Sequence, residues 1–313
     1  MSRAFVFPGQ GSQAPGMGRE LAEAFPAVRH LFEEIDDALS QNLTRLMFEG
    51  PEDDLTLTEN AQPALMAVSL GVVRALAAEG GGNPVAQCAF VAGHSLGEYS
   101  ALAAAGVLEV ATTARLLKRR GQAMQQAVPV GAGAMAAVLG LDLDAVVEAA
   151  EAAAEKDVCA VANDNAPGQV VVSGDKAAVE RAVALAAERG AKRSMLLPVS
   201  APFHCALMAP AADVMAQALA EIDLAPPVVP LVANVTAAQV SEPETIRRLL
   251  AEQVTARVRW RESVLYMRDQ GVDRMVELGA GKVLTGMVKR IDRAIAGSAI
   301  STPADIETYL KEV

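Results

Sequence analysis

The sequence predicts an α/β protein with a mostly parallel sheet, and three observations support this class. Short β-rich runs alternate with longer Ala- and Leu-rich stretches of helical period. An apolar strand at 88–92, a glycine-flanked turn and a helix to about residue 104 follow one another directly. The 313 residues are 52% hydrophobic, which suffices for one compact unit or two closely packed subdomains.

Turn residues mark the ends of the elements outside the middle of the chain. Pro8-Gly9 ends the first strand, and three glycines (80–82) follow the second helix, where glycine commonly ends a helix. The predicted strands are 4–7, 88–92, 228–234 and 274–278, and the predicted helices are 21–39, 63–78, 97–104, 242–252, 261–270 and 283–291.

The middle of the chain has a different pattern. Its elements run strand, helix, strand, strand, helix, strand, which is the order of a ferredoxin-like split βαβ unit. We therefore predict an inserted ferredoxin-like subdomain at 131–198 and a larger domain made of 1–130 and 199–313. We expect the active site at the seam between them, where pockets commonly form. The inserted elements are predicted at 134–139, 143–154, 158–162, 169–173, 176–189 and 193–198.

The charge of the chain argues against polyanionic partners. The net charge is −11, whereas nucleic-acid and anionic-membrane binding both require a basic surface. The charge is uneven, because 20–59 carries eleven acids and two bases while 245–293 carries eleven bases and six acids. The second segment is either an ordinary solvated face or a surface that receives an anionic partner.

Cysteine content and hydropathy indicate a cytoplasmic protein. Cys88, Cys159 and Cys205 are odd in number, far apart and without a CxxC motif, so they predict neither a disulfide framework nor a metal site. The apolar start of the chain ends at Pro8, well short of a signal-peptide core. We also expect that no later apolar stretch reaches the ~18 residues of a membrane span.

Gly93-His94-Ser95-Leu96-Gly97 is the most informative motif. It fits G-x-S-x-G between a strand and a helix, the context of a nucleophile elbow. The two glycines permit a strained turn that holds the serine hydroxyl out over the sheet, at a helix N-terminus that favours developing negative charge. The motif predicts Ser95 as a nucleophile.

The base for such a serine is usually a histidine, and the chain has three. His30 lies in a predicted surface helix, and the turn directs His94 away from Ser95 into packing. His204, just after the inserted segment, remains as the candidate base. No Asp or Glu between Ser95 and His204 is a convincing third member of a triad, so we predict a Ser–His dyad whose imidazole is oriented by a backbone carbonyl.

The motifs together resemble the malonyl-CoA:acyl carrier protein transacylase family of fatty acid synthesis. They occur in that family's order along nearly the whole chain. Two local departures exist, at 255–258 and at 279–281, where family members often have Asn-Pro and Gly-Pro-Gly. The matching stretches are Phe7-Pro8-Gly9-Gln10-Gly11-Ser12-Gln13, Gly93 to Tyr99, Arg120-Gly121, Gly133 to Ala137, Asn165 to Gln169, Phe203-His204 and Gly281-Lys282-Val283-Leu284.

The resemblance implies a larger α/β-hydrolase-like domain with a ferredoxin-like insertion, and a malonyl transfer through Ser95. By this resemblance malonyl-CoA is the substrate, acyl carrier protein is the partner, and no cofactor is required. Gln10 and the backbone N–H of Leu96 form the oxyanion hole, and Gln253 orients His204 through its carbonyl.

The resemblance also implies two specificity residues. Arg120 pairs with the free malonyl carboxylate, because a guanidinium can hold a carboxylate with two parallel hydrogen bonds. From the residues alone, Arg120 is better explained as a solvated helix arginine, since it ends the run Lys118-Arg119-Arg120, of which only one or two can face inward. Phe203 matches a position that favours malonyl over methylmalonyl groups.

Three other functions are weighed against acyl transfer. A serine hydrolase or thioesterase would use the same elbow with water as the acceptor, and a non-catalytic module would only bind the carrier. A dinucleotide-binding oxidoreductase is suggested by the run from Gly9 to Ala14, which superficially fits G-x-G-x-x-A. Pro8 and Pro15 bracket that run, and no second strand follows it, so the context of a dinucleotide site is missing.

Overall fold

The computed structural model describes residues 2–312, and the prediction of an α/β chain is confirmed. Its strands are β1 (Arg3–Phe7), β2 (Phe90–Gly93), β3 (Gly133–Leu139), β4 (Cys159–Ala166), β5 (Gln169–Asp175), β6 (Arg193–Leu196), β7 (Leu231–Val232), β8 (Gln239–Val240), β9 (Arg274–Leu278) and β10 (Ala296–Ile300). Its helices are α1 (Arg19–Ala24), α2 (Pro26–Leu39), α3 (Leu43–Glu49), α4 (Glu52–Thr56), α5 (Thr58–Gly80), α6 (Gly97–Ala104), α7 (Val110–Gln126), α8 (Leu143–Ala154), α9 (Lys176–Glu188), α10 (Ala209–Ala220), α11 (Pro243–Glu252), α12 (Trp260–Asp269), α13 (Val283–Ile291) and α14 (Pro303–Glu312).

The larger sheet has the strand order β10-β9-β1-β2-β7-β8. Its strands pair in parallel except β8, which is antiparallel to β7. Strand β1 lies in the middle and is buried on both faces, as parallel strands covered by helices are. Phe5 and Phe7 enter the main core, whereas Ala4 and Val6 enter a second core on the opposite face. The four-residue apolar run therefore reflects burial on both sides.

The smaller sheet is antiparallel throughout, with the order β4-β5-β3-β6. Alternate side chains of its strands divide between two cores, as the period of two requires. Val138 and Val172 pack in a core shared with α8 and α9, whereas Met135 and Val171 belong to the main core. The second face of this sheet thus packs on the larger part of the molecule and forms one side of the contact between the two.

Helix α5 corrects one expectation from the sequence. At 23 residues it is long and apolar enough to cross a membrane, contrary to the prediction that no stretch reaches that length. However, 83% of its most apolar window is buried inside the protein, where α5 packs against α2 and α7. Core burial explains its apolar sequence.

Several observed bounds differ from the predicted ones by up to five residues, and two predicted elements differ in kind or length. The helix predicted over 21–39 is two helices, because Phe25 is extended before Pro26, as the residue before a proline commonly is. The strand predicted at 228–234 is reduced to Leu231–Val232. Helices α1 and α2 still bury the apolar side chains that suggested one continuous helix.

Candidate active site

The turn after β2 is a nucleophile elbow that admits only glycine at two positions. A Cβ on Gly93 would lie 1.9 Å from the carbonyl carbon of Gly97, and a Cβ on Gly97 would lie 2.2 Å from the carbonyl oxygen of Phe7. Between them Ser95 has φ 53°, in the left-handed region that serine rarely adopts. The elbow thus presses α6 against β1 and leaves the Ser95 hydroxyl at the carboxyl edge of the sheet.

Ser95 and His204 are in direct contact. The Ser95 Oγ lies 2.8 Å from the His204 Nε2, and the His204 Nδ1 lies 2.9 Å from the backbone oxygen of Gln253. A carbonyl only accepts hydrogen bonds, so Nδ1 carries the proton and Nε2 is free to accept one from the serine. The structure therefore brings together the two residues of the predicted dyad, with a carbonyl in the place of a triad acid.

The environment of His204 keeps its ring neutral. Burial, and secondly the nearby charge of Arg120, lower the pKa of His204 to about 3. A neutral imidazole at neutral pH can take up a proton from the serine, whereas an imidazolium could not.

Arg120 is a buried cation beside the nucleophile. Its neighbour Arg119 is exposed, whereas the Arg120 side chain is only 1% exposed and its Nη2 lies 3.3 Å from the Ser95 Oγ. The guanidinium donates to the side-chain oxygens of Gln62 at 2.8 Å and Gln253 at 2.9 Å, and it forms no salt bridge within residues 2–312. Neutral amides thus hold a charge that a bound anion could neutralise.

Gln253 links all three groups. Its backbone oxygen accepts from His204, its Oε1 accepts from Arg120, and its Nε2 lies 3.0 Å from the backbone oxygen of Ser95. The sequence departure at 255–258 leaves this carbonyl in place. Only the carbonyl contact was expected from the sequence, and the side-chain contacts are additional.

The two residues expected to form the oxyanion hole lie beside the space in front of Ser95. Gln10 and Leu96 both line the cavity there, and within residues 2–312 neither N–H donates a hydrogen bond. The loop that carries Gln10 lies against the elbow, since a Cβ on Gly9 would be 2.7 Å from the backbone oxygen of His94. This arrangement suits an oxyanion hole, which requires preorganised donors with no other partner.

The cavity in front of Ser95 has a volume of about 620 Å³. Phe203, which is 8% exposed, forms part of its wall. Met135, Asn163, Leu197 and Pro198 come from the middle segment and the other lining residues from the larger part, so the cavity lies at the junction of the two. No cluster of three or more metal-ligating side chains occurs within the part of the chain that the structure describes.

Comparison with known proteins agrees with this site. The acyl transferase domain model matches residues 4–301. This chain belongs to the acyl transferase domain family. It is 47% identical to the malonyl CoA-acyl carrier protein transacylase of Escherichia coli K12 over 308 residues, covering 98% of both chains.

Solved structures of the acyl transferase family superpose closely on this chain. The acyl-carrier-protein S-malonyltransferase of Bartonella henselae has a TM-score of 0.97 at 54% identity, over 100% of this chain and 99% of that one. A type II polyketide acyl-carrier protein in complex with its malonyl-transacylase gives 0.96 at 43% identity, over 100% of both chains.

The other two histidines of this acyltransferase have no contact with the Ser95 hydroxyl. His30 is exposed on α2. The His94 Nε2 lies 2.8 Å from the Asn165 Oδ1, and its ring centroid is 5.7 Å from that of Trp260. These contacts are consistent with the packing role predicted for His94. His94 also lines the cavity.

Sequence reasoning missed three buried residues of the site: Gln62, which accepts from Arg120, and two residues around the elbow. Asn234 contacts the elbow backbone, and Glu98 follows the elbow on α6 with its carboxylate buried. Burial raises the pKa of Glu98 to about 7, against hydrogen bonds from Asn234 and Gln253 that lower it. Glu98 lies within the matched motif, so its position was visible in the sequence, but Asn234 follows a short strand with no motif around it.

We predict that Gly97→Ala abolishes activity and destabilises the fold by about 3 kcal/mol, since its new methyl group would overlap the Phe7 carbonyl. Thermal unfolding and transfer rate measure the two effects. Gly286→Ala is the matched control, because no atom lies within 4 Å of its added Cβ. A Gly97→Ala protein with wild-type melting temperature and rate would show that the elbow is not tightly packed.

We predict a flat acid side for the pH profile of kcat/KM with malonyl-CoA. The folded pKa of His204 is far below 6.5, so the neutral base persists as the pH falls through the range in which an ordinary histidine becomes protonated. Initial rates between about pH 5 and 8 measure this. An acid limb with an apparent pKa near that of free histidine would contradict the buried environment.

Proposed function

We propose that this chain transfers the malonyl group of malonyl-CoA to the phosphopantetheine thiol of acyl carrier protein in fatty acid biosynthesis. The observation that carries the proposal is the buried guanidinium of Arg120, which forms no salt bridge within residues 2–312 and lies 3.3 Å from the Ser95 Oγ in the cavity. An acyl group esterified to Ser95 would extend into a site with a buried positive charge. Malonyl carries a carboxylate at the far end, whereas acetyl does not.

In the first half-reaction Ser95 attacks the thioester carbonyl of malonyl-CoA. As the Oγ–carbon bond forms, the His204 Nε2 takes the hydroxyl proton, and the oxyanion accepts from the N–H groups of Leu96 and Gln10. Collapse of the intermediate breaks the carbon–sulfur bond, and the imidazolium returns its proton to the departing CoA sulfur. One oxyanion donor typically contributes about 2.7–4 kcal/mol to the transition state.

The second half-reaction reverses these roles in a ping-pong sequence. His204 takes the proton of the carrier's phosphopantetheine thiol, whose sulfur attacks the malonyl ester. The Ser95 oxygen then leaves and recovers the proton from His204. Each proton removed is returned within the cycle, so the proposal requires neither metal nor cofactor.

The wall residue Phe203 favours malonyl over methylmalonyl in this proposal. Phe203 directly precedes His204 in the sequence, lines the cavity and is almost fully buried. An α-methyl group would add volume where the packed ring has little room to move.

We further propose that 1–130 and 199–313 form an α/β-hydrolase-like domain and that 131–198 form a ferredoxin-like subdomain. The antiparallel order β4-β5-β3-β6 and the separate core under α8 and α9 support this division. The protein is proposed to act in the cytoplasm, where its carrier and CoA substrates would meet it.

The basic segment 245–293 supports an acidic carrier as partner, but only part of it is available. Six of its eleven bases form salt bridges, among them Arg261 with Asp164 and Arg274 with Glu312. Lys282 is exposed and lies near the cavity rim. A Cβ on the preceding residue, Gly281, would be 2.9 Å from the Ser12 Oγ at that rim. Lys289 and Arg290 lie about 10 Å farther along α13, at 1.5 Å of rise per residue.

Intact mass after a brief incubation with malonyl-CoA tests the proposed function. We expect a malonyl adduct that Ser95→Ala abolishes and that added holo carrier protein discharges. Ser100→Ala is the matched control, because within residues 2–312 the Ser100 hydroxyl is buried without a hydrogen-bond partner, and the adduct should persist. Release of free malonate would indicate a hydrolase, and neither adduct nor product would favour a binding module.

We predict that Arg120→Ala lowers kcat/KM for malonyl-CoA by about 100-fold, since two charge-assisted hydrogen bonds are together worth about 3 kcal/mol. Acetyl transfer, which offers no carboxylate, should lose much less. Arg119→Ala, one residue away and exposed, should change neither donor. Steady-state rates with malonyl and acetyl donors measure both effects. An equal loss of kcat/KM for the two donors in Arg120→Ala would exclude the carboxylate role.

We predict that Lys282→Glu raises the KM for carrier protein several-fold at low salt and that added salt narrows the difference, because rim charges mainly steer association. Arg74→Glu is the control, since Arg74 is exposed on α5 about 18 Å along the helix from Gln62. Equal KM values for both variants and the wild type would place the docking surface elsewhere.

A further inference from the structure

A single side chain from the turn after the neighbouring strand β7 holds the backbone of the elbow just before the turn at Ser95. The Asn234 Oδ1 accepts from the N–H of Ser95 at 2.8 Å, and its Nδ2 donates to the backbone oxygen of Gly93 at 2.7 Å. Asn234 lies two residues after β7, which pairs with β2. The amide therefore pairs the C=O of Gly93 and the N–H of Ser95, the two backbone groups on either side of His94 that lead into the strained residue.

Asn234 is itself fixed from behind by the α6 carboxylate. Its backbone N–H donates to the Glu98 Oε2 at 2.9 Å, and the Gln253 Nε2 donates to the same oxygen at 3.0 Å. Asn234 and Glu98 are both 0% exposed, and the Glu98 Oε1 has no partner within residues 2–312. Burying a carboxylate with one unpaired oxygen costs free energy. We therefore expect the hydrogen bonds to the other oxygen, Oε2, to have a specific role.

We propose that Asn234 is a positioning residue for the nucleophile and that Glu98 supports it. Asn234 holds Ser95 at φ 53° and so fixes two directions together: that of the Ser95 Oγ toward His204, and that of the Leu96 N–H toward the cavity. It touches neither the substrate nor the reacting atoms. The inference rests on the proposed function only in taking Ser95 as the nucleophile.

The physical reason lies in the strain of the turn. A left-handed serine is strained and persists only where the surroundings hold it. Gly93 and Gly97 make the turn sterically possible, but they do not select the peptide orientation at Ser95. The two hydrogen bonds from Asn234 do select it, because rotation of the His94–Ser95 peptide would leave the buried N–H of Ser95 unpaired and rotation of the preceding peptide would leave the C=O of Gly93 unpaired.

The test measures the orientation of Ser95 with two independent readouts. Steady-state malonyl transfer gives kcat and KM, and the rate of covalent labelling by a fluorophosphonate reports the reactivity of the serine hydroxyl without any malonyl group. For Asn234→Ala we expect both kcat and the labelling rate to fall by at least tenfold, with the KM for malonyl-CoA within about twofold of wild type. The cavity wall and Arg120 are unchanged in this variant.

Asn60→Ala is the matched control for a purely structural effect. Asn60 is also buried, at 7% exposure, and its Nδ2 also donates to a backbone oxygen, that of Asp54, but it has no contact with the elbow. It should lower the melting temperature while kcat and labelling per folded protein stay at wild-type values. Equal kcat losses in the two variants, or a raised KM with unchanged kcat in Asn234→Ala, would overturn the proposal.

Substitutions at Glu98 keep the proposal testable if Asn234→Ala does not fold. Glu98→Gln retains an acceptor oxygen for the Asn234 N–H, so it should keep more of the labelling rate than Glu98→Ala does. Equal labelling rates in the two Glu98 variants would contradict the supporting role. A wild-type protein that labels rapidly but forms no malonyl adduct would refute the proposed function alone, because labelling still measures the positioning of Ser95.

Discussion

The site depends on close backbone packing where β1, β2 and α6 meet, which is possible only because two glycines there have no side chain. Gly93 and Gly97 allow backbone atoms to approach where any Cβ would overlap the opposite chain. This close approach puts Ser95 at the edge of the sheet and brings the Gln10 loop beside Leu96. The core below is continuous and well filled, so the strain of the turn is offset by packing around it.

The electrostatics of the site follow from the burial of the Arg120 guanidinium, which forms no salt bridge within residues 2–312. Arg120 is held by the side chains of Gln62 and Gln253, while the buried carboxylate of Glu98 pairs with Asn234 and Gln253. The same positive charge, after burial itself, keeps the pKa of His204 low. A bound carboxylate would compensate the buried charge of Arg120, so substrate binding and the state of the base are coupled through one residue.

The sequence predicted those parts of the molecule that leave a local pattern. The strand–turn–helix around Ser95 and the six elements of the middle segment follow from turn residues and hydrophobic period, and the observed bounds differ by a few residues. The elimination of His30 and His94 isolated His204. By contrast, burial of Arg120 and exposure of Arg119 are set by tertiary packing, since both lie in the same basic run. Asn234 was missed because its role depends on strand β7 pairing with β2, which no local pattern records.

A crystal structure of the malonyl-enzyme, trapped by a short soak of malonyl-CoA without carrier protein, tests the central claim most directly. The account predicts an ester on the Ser95 Oγ, with its carbonyl oxygen between the N–H groups of Leu96 and Gln10. It also predicts that the malonyl carboxylate pairs with the Arg120 guanidinium. An ester on another residue, or a carboxylate that points to solvent with Arg120 still bound only to Gln62 and Gln253, would contradict it.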